Sequence, residues 1–97
     1  VDSGIGGAVA QVVGQLLRTL GRSRQVLCVT HLAQVASCAD HQWQVSKTTS
    51  DGTTRSTLHT LTDEERIEEI ARMLGGLQLT EATRCTAREM LEGATHA

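Results

Sequence analysis

The chain has 97 residues, 39% of them hydrophobic, and its 9 Lys+Arg stand against 11 Asp+Glu for a formal net charge of -2. That length holds one small domain with one core, and the near-neutral balance excludes both a strongly basic nucleic-acid face and a charge-driven disordered segment. No apolar run approaches the roughly 18–20 residues of a membrane span and no signal peptide opens the chain, so no membrane partner is expected.

The chain opens Val1-Asp2-Ser3-Gly4 and not on Met, which reads as a piece cut from something longer. Residues 5–20 read as an amphipathic helix: Ile5, Val9, Val12, Leu16 and Leu20 recur at helical spacing, and Ala8 and Val13 widen the stripe. Gly21 supplies a stop, and Arg18, Arg22 and Arg24 suit the negative pole of the helix dipole. Gln25-Val26-Leu27-Cys28-Val29-Thr30 follows, four apolar residues between polar ends, the pattern of a strand buried on both faces of a parallel sheet. Helix then strand is the second half of a βαβ unit whose first strand would precede Val1.

Leu32 to Ala39 reads as a short helix of two turns. Residues 42–48 and 54–61 flank Ser50-Asp51-Gly52, a hairpin signal, and their polar alternation predicts an edge position with one solvated face. Thr62-Asp63-Glu64-Glu65 fits a capping box opening a helix with Ile67, Ile70, Ala71 and Leu74 on one face and a stop at Gly75-Gly76. A last helix spans about 80–92, with Ala87, Met90 and Leu91 as its apolar contacts. Trp43 is the only aromatic, so the core must come from aliphatic side chains. Three cysteines are too few, and odd in number, for a disulfide framework, which points to a reducing compartment.

Two features carry candidate chemistry. Ser3-Gly4-Ile5-Gly6-Gly7 precedes the first helix, where backbone amides favour an anion. The string Gly4-x-Gly6-x-x-Val9 misses the last small residue of a dinucleotide fingerprint, and a plain strand-to-helix turn explains it equally well. His31 directly follows the buried run, and ligands of open α/β sheets bind beyond the carboxyl ends of strands. Its imidazole either donates to a phosphate oxygen or is satisfied by neighbouring carbonyls.

Other groupings have plainer readings. Cys28, His31, Cys38 and His41 form Cys-x-x-His-x6-Cys-x-x-His, yet an extended chain points residues 28 and 31 to opposite faces, so buried cysteine as a small hydrophobe is the better account and no metal site is expected. Asp63, Glu64 and Glu65 complement the helix dipole, and Glu68 and Glu69 face away from the Ile67/Ile70 stripe into solvent. Lys47, Arg55 and His59 are scattered basic groups of an ordinary surface.

Taken together, Val-Asp-Ser-Gly-Ile-Gly-Gly at the start, Val-Leu-Cys-Val-Thr-His-Leu-Ala-Gln-Val-Ala, the Val-Ser-Lys of the hairpin and Ala-Arg-Met-Leu-Gly-Gly closely resemble the C-terminal end of the RecN family, bacterial DNA repair proteins related to the structural-maintenance-of-chromosomes (SMC) group. The resemblance covers essentially the whole chain, in order. It implies an α/β fold, the C-terminal half of an ABC-type (P-loop) ATPase head, built as helix, strand, short helix, β-hairpin and two helices. Residues 1–97 would be a single fragment, the C-terminal lobe of an SMC-like ATP-binding head.

On that resemblance Asp2 is the last acidic residue of a Walker B segment. Ser3, Gly4, Gly6 and Gly7 belong to the loop that reaches the partner's nucleotide across a head-head homodimer. His31 is the switch histidine that senses the γ-phosphate, with Gln34 beside it. Ala33 stands where relatives often carry Pro, and Gly6 where many carry an acidic residue. The implied cofactors are ATP and Mg²⁺ in the full-length protein, with none tightly bound to this fragment. The implied partners are the N-terminal half of the same head, a second head, and DNA through the full-length protein, in a cytoplasmic, nucleoid-associated setting.

Gly-x4-Gly-Lys-Ser/Thr does not occur in the chain, the remaining Walker B residues would lie before Val1, and the signature motif is missing. Phosphoryl transfer needs cradle, metal and oriented nucleophile together, so the fragment alone is expected to be inactive. Two other classes remain open, a non-catalytic protein-interaction module and a small free-standing α/β nucleotide binder.

Overall fold

A computed structural model describes residues 7–75 and 78–95. Its elements are α1 (Gly7–Leu20), α2 (Ala33–Ala36), β1 (Trp43–Ser50), β2 (Thr53–Thr60), α3 (Asp63–Gly75) and α4 (Glu81–Thr95). The core is small and lies where α2 meets the α3/α4 pair. Ala33 and Ala36 of α2 pack with Ile70, Ala71 and Ala87, and Ile67, Met73, Leu74, Met90 and Leu91 close around them. Small residues let three helices approach closely, and among the described residues Ile70 is the one large side chain fully shut away.

The sheet is a two-stranded antiparallel hairpin, Trp43 facing Thr60 at its base and Ser50 facing Thr53 at its tip. Asp51 and Gly52 form the two-residue loop with φ of 51° and 75°. Positive φ at both positions is what the right-handed twist of a tight hairpin requires, and Asp-Gly supplies it cheaply. The predicted edge position with one covered face is not what forms: only Gln44 is partly covered and every other strand residue is exposed.

Both later helices start on reciprocal caps. The Thr62 hydroxyl accepts from the Glu65 amide at 3.2 Å while Glu65 Oε1 accepts from the Thr62 amide at 2.9 Å, the capping box read from sequence. At α4 the Thr83 amide donates to the Thr80 hydroxyl at 3.1 Å and the Thr80 amide to the Thr83 hydroxyl at 2.9 Å.

Two expectations need correction. Residues 25–30 make no strand: the run joins no ladder among the described residues, and Leu27 and Val29 are 78% and 89% exposed. Val26, Cys28 and Thr30 are partly covered in alternation with them, the two-sided pattern of an extended chain that lacks neighbours on one side. The element order therefore lacks its predicted strand, and α2 is one turn where two were expected. The second correction concerns α1, whose stripe of Val9, Val12, Leu16 and Leu20 faces outward. Ala10 and Gly14, one turn apart, are the residues it buries, because they allow α2 to come close.

Candidate functional site

His31 sits at a turn made by its neighbours. The Thr30 hydroxyl accepts a hydrogen bond from the Leu32 amide at 3.0 Å, bending the chain around residue 31. Leu32 is extended, with φ -100° and ψ 124°, and α2 starts immediately after it. The imidazole is on the exposed side of this turn.

Gly7 begins α1, and a Cβ placed on it would lie 3.5 Å from the Gln34 side-chain nitrogen. Two stretches singled out separately in the sequence, the glycine turn and the histidine string, therefore meet at the first turn of α1. Asp2, Ser3, Gly4 and Gly6 lie outside the described residues.

Two arginines hold the chain that leaves α2. From α1, Arg18 Nη1 donates to the Cys38 carbonyl at 3.0 Å and pairs with Asp40 Oδ1 at 3.2 Å. From α3, Arg66 Nη2 donates to the carbonyls of Ala36 at 3.2 Å and Ala39 at 3.0 Å, and its Nε donates to Gln42 Oε1 at 3.2 Å. Burial pulls the Arg66 pKa down, with Asp63 opposing it and Arg18 adding to it. Cys38 is buried between these anchors, its Sγ donating to the Gln34 carbonyl at 3.4 Å. Desolvation raises its thiol pKa, against the Ser37 hydrogen bond and the Arg18 charge.

In the sequence Arg18 reads as a partner of the helix dipole, and Arg66 carries no motif that marks it. The available signal for Arg66 was its spacing, four residues before the buried Ile70 and so on the same helix face.

The acidic residues divide by face. Glu65 is held at a pKa of about 2 by the Thr62 amide, by a 3.0 Å bond from His59 Nε2, and by the Thr62 hydroxyl. Glu68 is solvated as expected and accepts from Arg84 Nε at 2.8 Å. Glu69 is not solvated. It is only 9% exposed, accepts from Gln44 Nε2 at 2.5 Å and pairs with Arg72. Residues 65 and 69 lie one turn apart on the side of α3 facing the hairpin base, which is why the pair split.

Lys47 and Arg55 are both exposed and point to opposite faces of the hairpin, since Arg55 lies across from Thr48. Cys28, His31, Cys38 and His41 do not gather as metal ligands, and among the described residues no three His, Cys, Asp or Glu side chains do. No described helix is long and apolar enough to cross a membrane. Chemically, the exposed His31 imidazole and the Gln34 side-chain amide beside Gly7 are both hydrogen-bond donors suited to an anionic oxygen.

No family model matches the chain. Among curated proteins it is 55% identical over 94 residues to a Vibrio cholerae protein named DNA repair protein RecN, covering 97% of the chain and 17% of that relative. A protein of the same name from Deinococcus radiodurans is 53% identical over 93 residues, 96% of the chain and 16% of the relative. The Bacillus subtilis protein of that name is 38% identical over 94 residues, 97% of the chain and again 16% of the relative. The resemblance read from the motifs thus extends along nearly the whole chain, and the chain spans about a sixth of the length of the relatives it matches.

Proposed function

Starting from homology over almost its entire length to one segment of RecN proteins, we propose that the chain is part of an ATP-binding and ATP-hydrolysing head of a DNA repair protein. Its share of the work is the γ-phosphate-sensing histidine, His31, and the stretch from Ser3 to Gly7, which contacts nucleotide across a head-head dimer, with Asp2 before it as the last acidic residue of the Walker B segment. ATP and Mg²⁺ are the cofactors of the assembled head, bound mainly by residues of its other half.

The observation that carries this reading is the exposed imidazole of His31 at a hydrogen-bonded turn, three residues before Gln34, which abuts the start of α1. An oriented imidazole N–H stabilises charge on a terminal phosphate oxygen without holding metal. Leu27 and Val29, bare on one side of residues 25–30, and the outward stripe of α1 are apolar surfaces of the kind that the other half of a head would cover. A strand meant for the interior of a parallel sheet cannot form its ladder without those neighbours.

The test is His31→Ala in the full-length protein. It slows ATP hydrolysis by about 10²–10³-fold while weakening ATP binding much less. Equal loss of rate and affinity would make His31 structural, and undiminished hydrolysis would remove the reading.

One feature favours a second reading, a protein-interaction module. Trp43, Val45 and Leu58 share one face of the hairpin and are all exposed. That reading predicts lost association and unchanged hydrolysis when Trp43 is replaced by Ser.

A further inference from the structure

We infer that Arg66 is a positioning residue for His31, acting through α2. The inference rests on the switch role proposed for His31 and adds to it the element that sets the imidazole in place. The Arg66 guanidinium is partly buried, and its hydrogen bonds go to neutral oxygens: the Ala36 and Ala39 carbonyls and the Gln42 side chain. The Ala36 carbonyl also accepts from the Ala39 amide at 3.2 Å, so Arg66 adds a cationic second donor at the C-terminal end of α2 and ties the Ala39 carbonyl just beyond it, a C-terminal cap delivered from another element.

Arg18 completes the hold from the opposite helix through the Cys38 carbonyl and Asp40. The segment from Ala36 to Gln42 is therefore fixed from α1 and from α3 at once. At the other end of the same turn, the Leu32 carbonyl accepts from the Val35 amide at 3.1 Å and the Ala36 amide at 3.0 Å. Leu32 adjoins His31 and is tied back to Thr30. One helical turn therefore separates the Arg66-bound carbonyl of Ala36 from the residue that adjoins His31. Ala33 and Ala36 bring little side-chain volume to the contact with α3, so the Arg66 hydrogen bonds add to packing in fixing α2 against that helix.

The hold also connects distant parts of the fold. Arg66 lies one residue from Glu65, which caps α3 and binds His59 at the base of the hairpin. The base of the hairpin and the His31 turn are thus joined by these hydrogen bonds together with the backbone links Glu65–Arg66 and His31–Leu32.

The experiment compares Arg66→Lys, Arg66→Ala, His31→Ala and the double variants in the full-length protein, measuring kcat and KM for ATP together with hydrogen exchange over residues 32–42. Lysine keeps the charge and loses the planar fork. Arg66→Ala lowers kcat about 10–100-fold, the scale of a remote change that misplaces a reacting group. KM stays within about twofold, Arg66→Lys restores part of the rate, and exchange quickens over 32–42. Adding either Arg66 change to His31→Ala costs nothing further, since one function is already lost. Losses that multiply in the double variants, a rise in KM alone, or unchanged kcat overturn the positioning role. Should Arg66→Ala fail to fold, Arg66→Lys and its double variant decide the matter. If His31→Ala itself leaves hydrolysis intact, the switch reading fails first and this inference with it. If His31→Ala slows hydrolysis and the Arg66 variants do not, this inference fails alone.

Discussion

A Cβ added to Gly14 would lie 2.8 Å from Cys38 Sγ and 3.1 Å from the Gln34 carbonyl oxygen, so α1 and α2 meet at a point with room for hydrogen only. Neither neighbour gives way easily. The sulfur is buried and bonded to the Gln34 carbonyl, and the oxygen is backbone. Gly14→Ala therefore sets about 1 kcal/mol of improved helix propensity against an overpacking cost of about 1–3 kcal/mol. Net destabilisation and a lower urea midpoint are expected. A more stable variant would show that the helices separate without cost.

Acid should loosen the start of α3. The Glu65 carboxyl is held at about 2, below its ordinary value near 4.5. Between those values the unfolded chain binds the extra proton, so stability is fully present above about pH 5 and is lost as the pH falls towards 2. Glu65→Gln keeps an acceptor at the capping position and removes the titration. Its unfolding free energy should therefore depend less steeply on pH between 5 and 2 than that of the parent, as denaturant titrations in that range would reveal. Identical slopes would locate the acid sensitivity elsewhere.

Glu69 joins the base of the hairpin to α3 by accepting from Gln44 while it pairs with Arg72 on its own helix. Glu69→Ala leaves the partly buried Gln44 amide without that acceptor, a loss of about 1–3 kcal/mol. Glu69→Gln retains an acceptor and gives up only an ion pair whose arginine is largely solvated, a loss below about 1 kcal/mol. Hydrogen exchange at the base of β1 should rise in the order parent, Gln, Ala. Equal effects of the two substitutions would mean that the charge, and not the hydrogen bond, holds the hairpin.

The sequence revealed local structure well where neighbours in the chain decide it. Asp51-Gly52 fixes the hairpin loop and Thr62/Glu65 fixes the start of α3 because both are short-range hydrogen-bond and φ requirements. It misled where long-range partners decide. The apolar stripe of α1 predicts burial, yet burial needs a partner, and in this chain the close approach of α2 selects Ala10 and Gly14 instead. Val26 to Val29 carries the composition of an interior strand, but composition supplies no ladder. At the candidate site His31, Gly7 and Gln34 were identifiable from their motifs, and the approach of Gln34 to Gly7 at the first turn of α1 was not. Arg66 and Glu69 were hidden because polar residues beside an apolar stripe read as solvent-facing until the hairpin and the chain beyond α2 are in place.

The bare aliphatic surface offers a test whose sign depends on what surrounds it. Leu16 is 64% exposed and Leu27 78%. In the 97-residue chain, Leu16→Ser and Leu27→Ser should each change stability by no more than about 0.5 kcal/mol, as for other surface positions. Both should reduce concentration-dependent self-association in sedimentation experiments, because the chain otherwise presents those faces to its own copies. In the full-length protein the same leucines are proposed to lie beneath the other half of the head. There each substitution should cost about 2–5 kcal/mol, the scale for removing a buried leucine, and should lower the thermal midpoint. Near-neutral behaviour in both settings would mean that this surface stays open to solvent in the assembled head, and the proposed junction between its two halves would have to lie on another face of the chain.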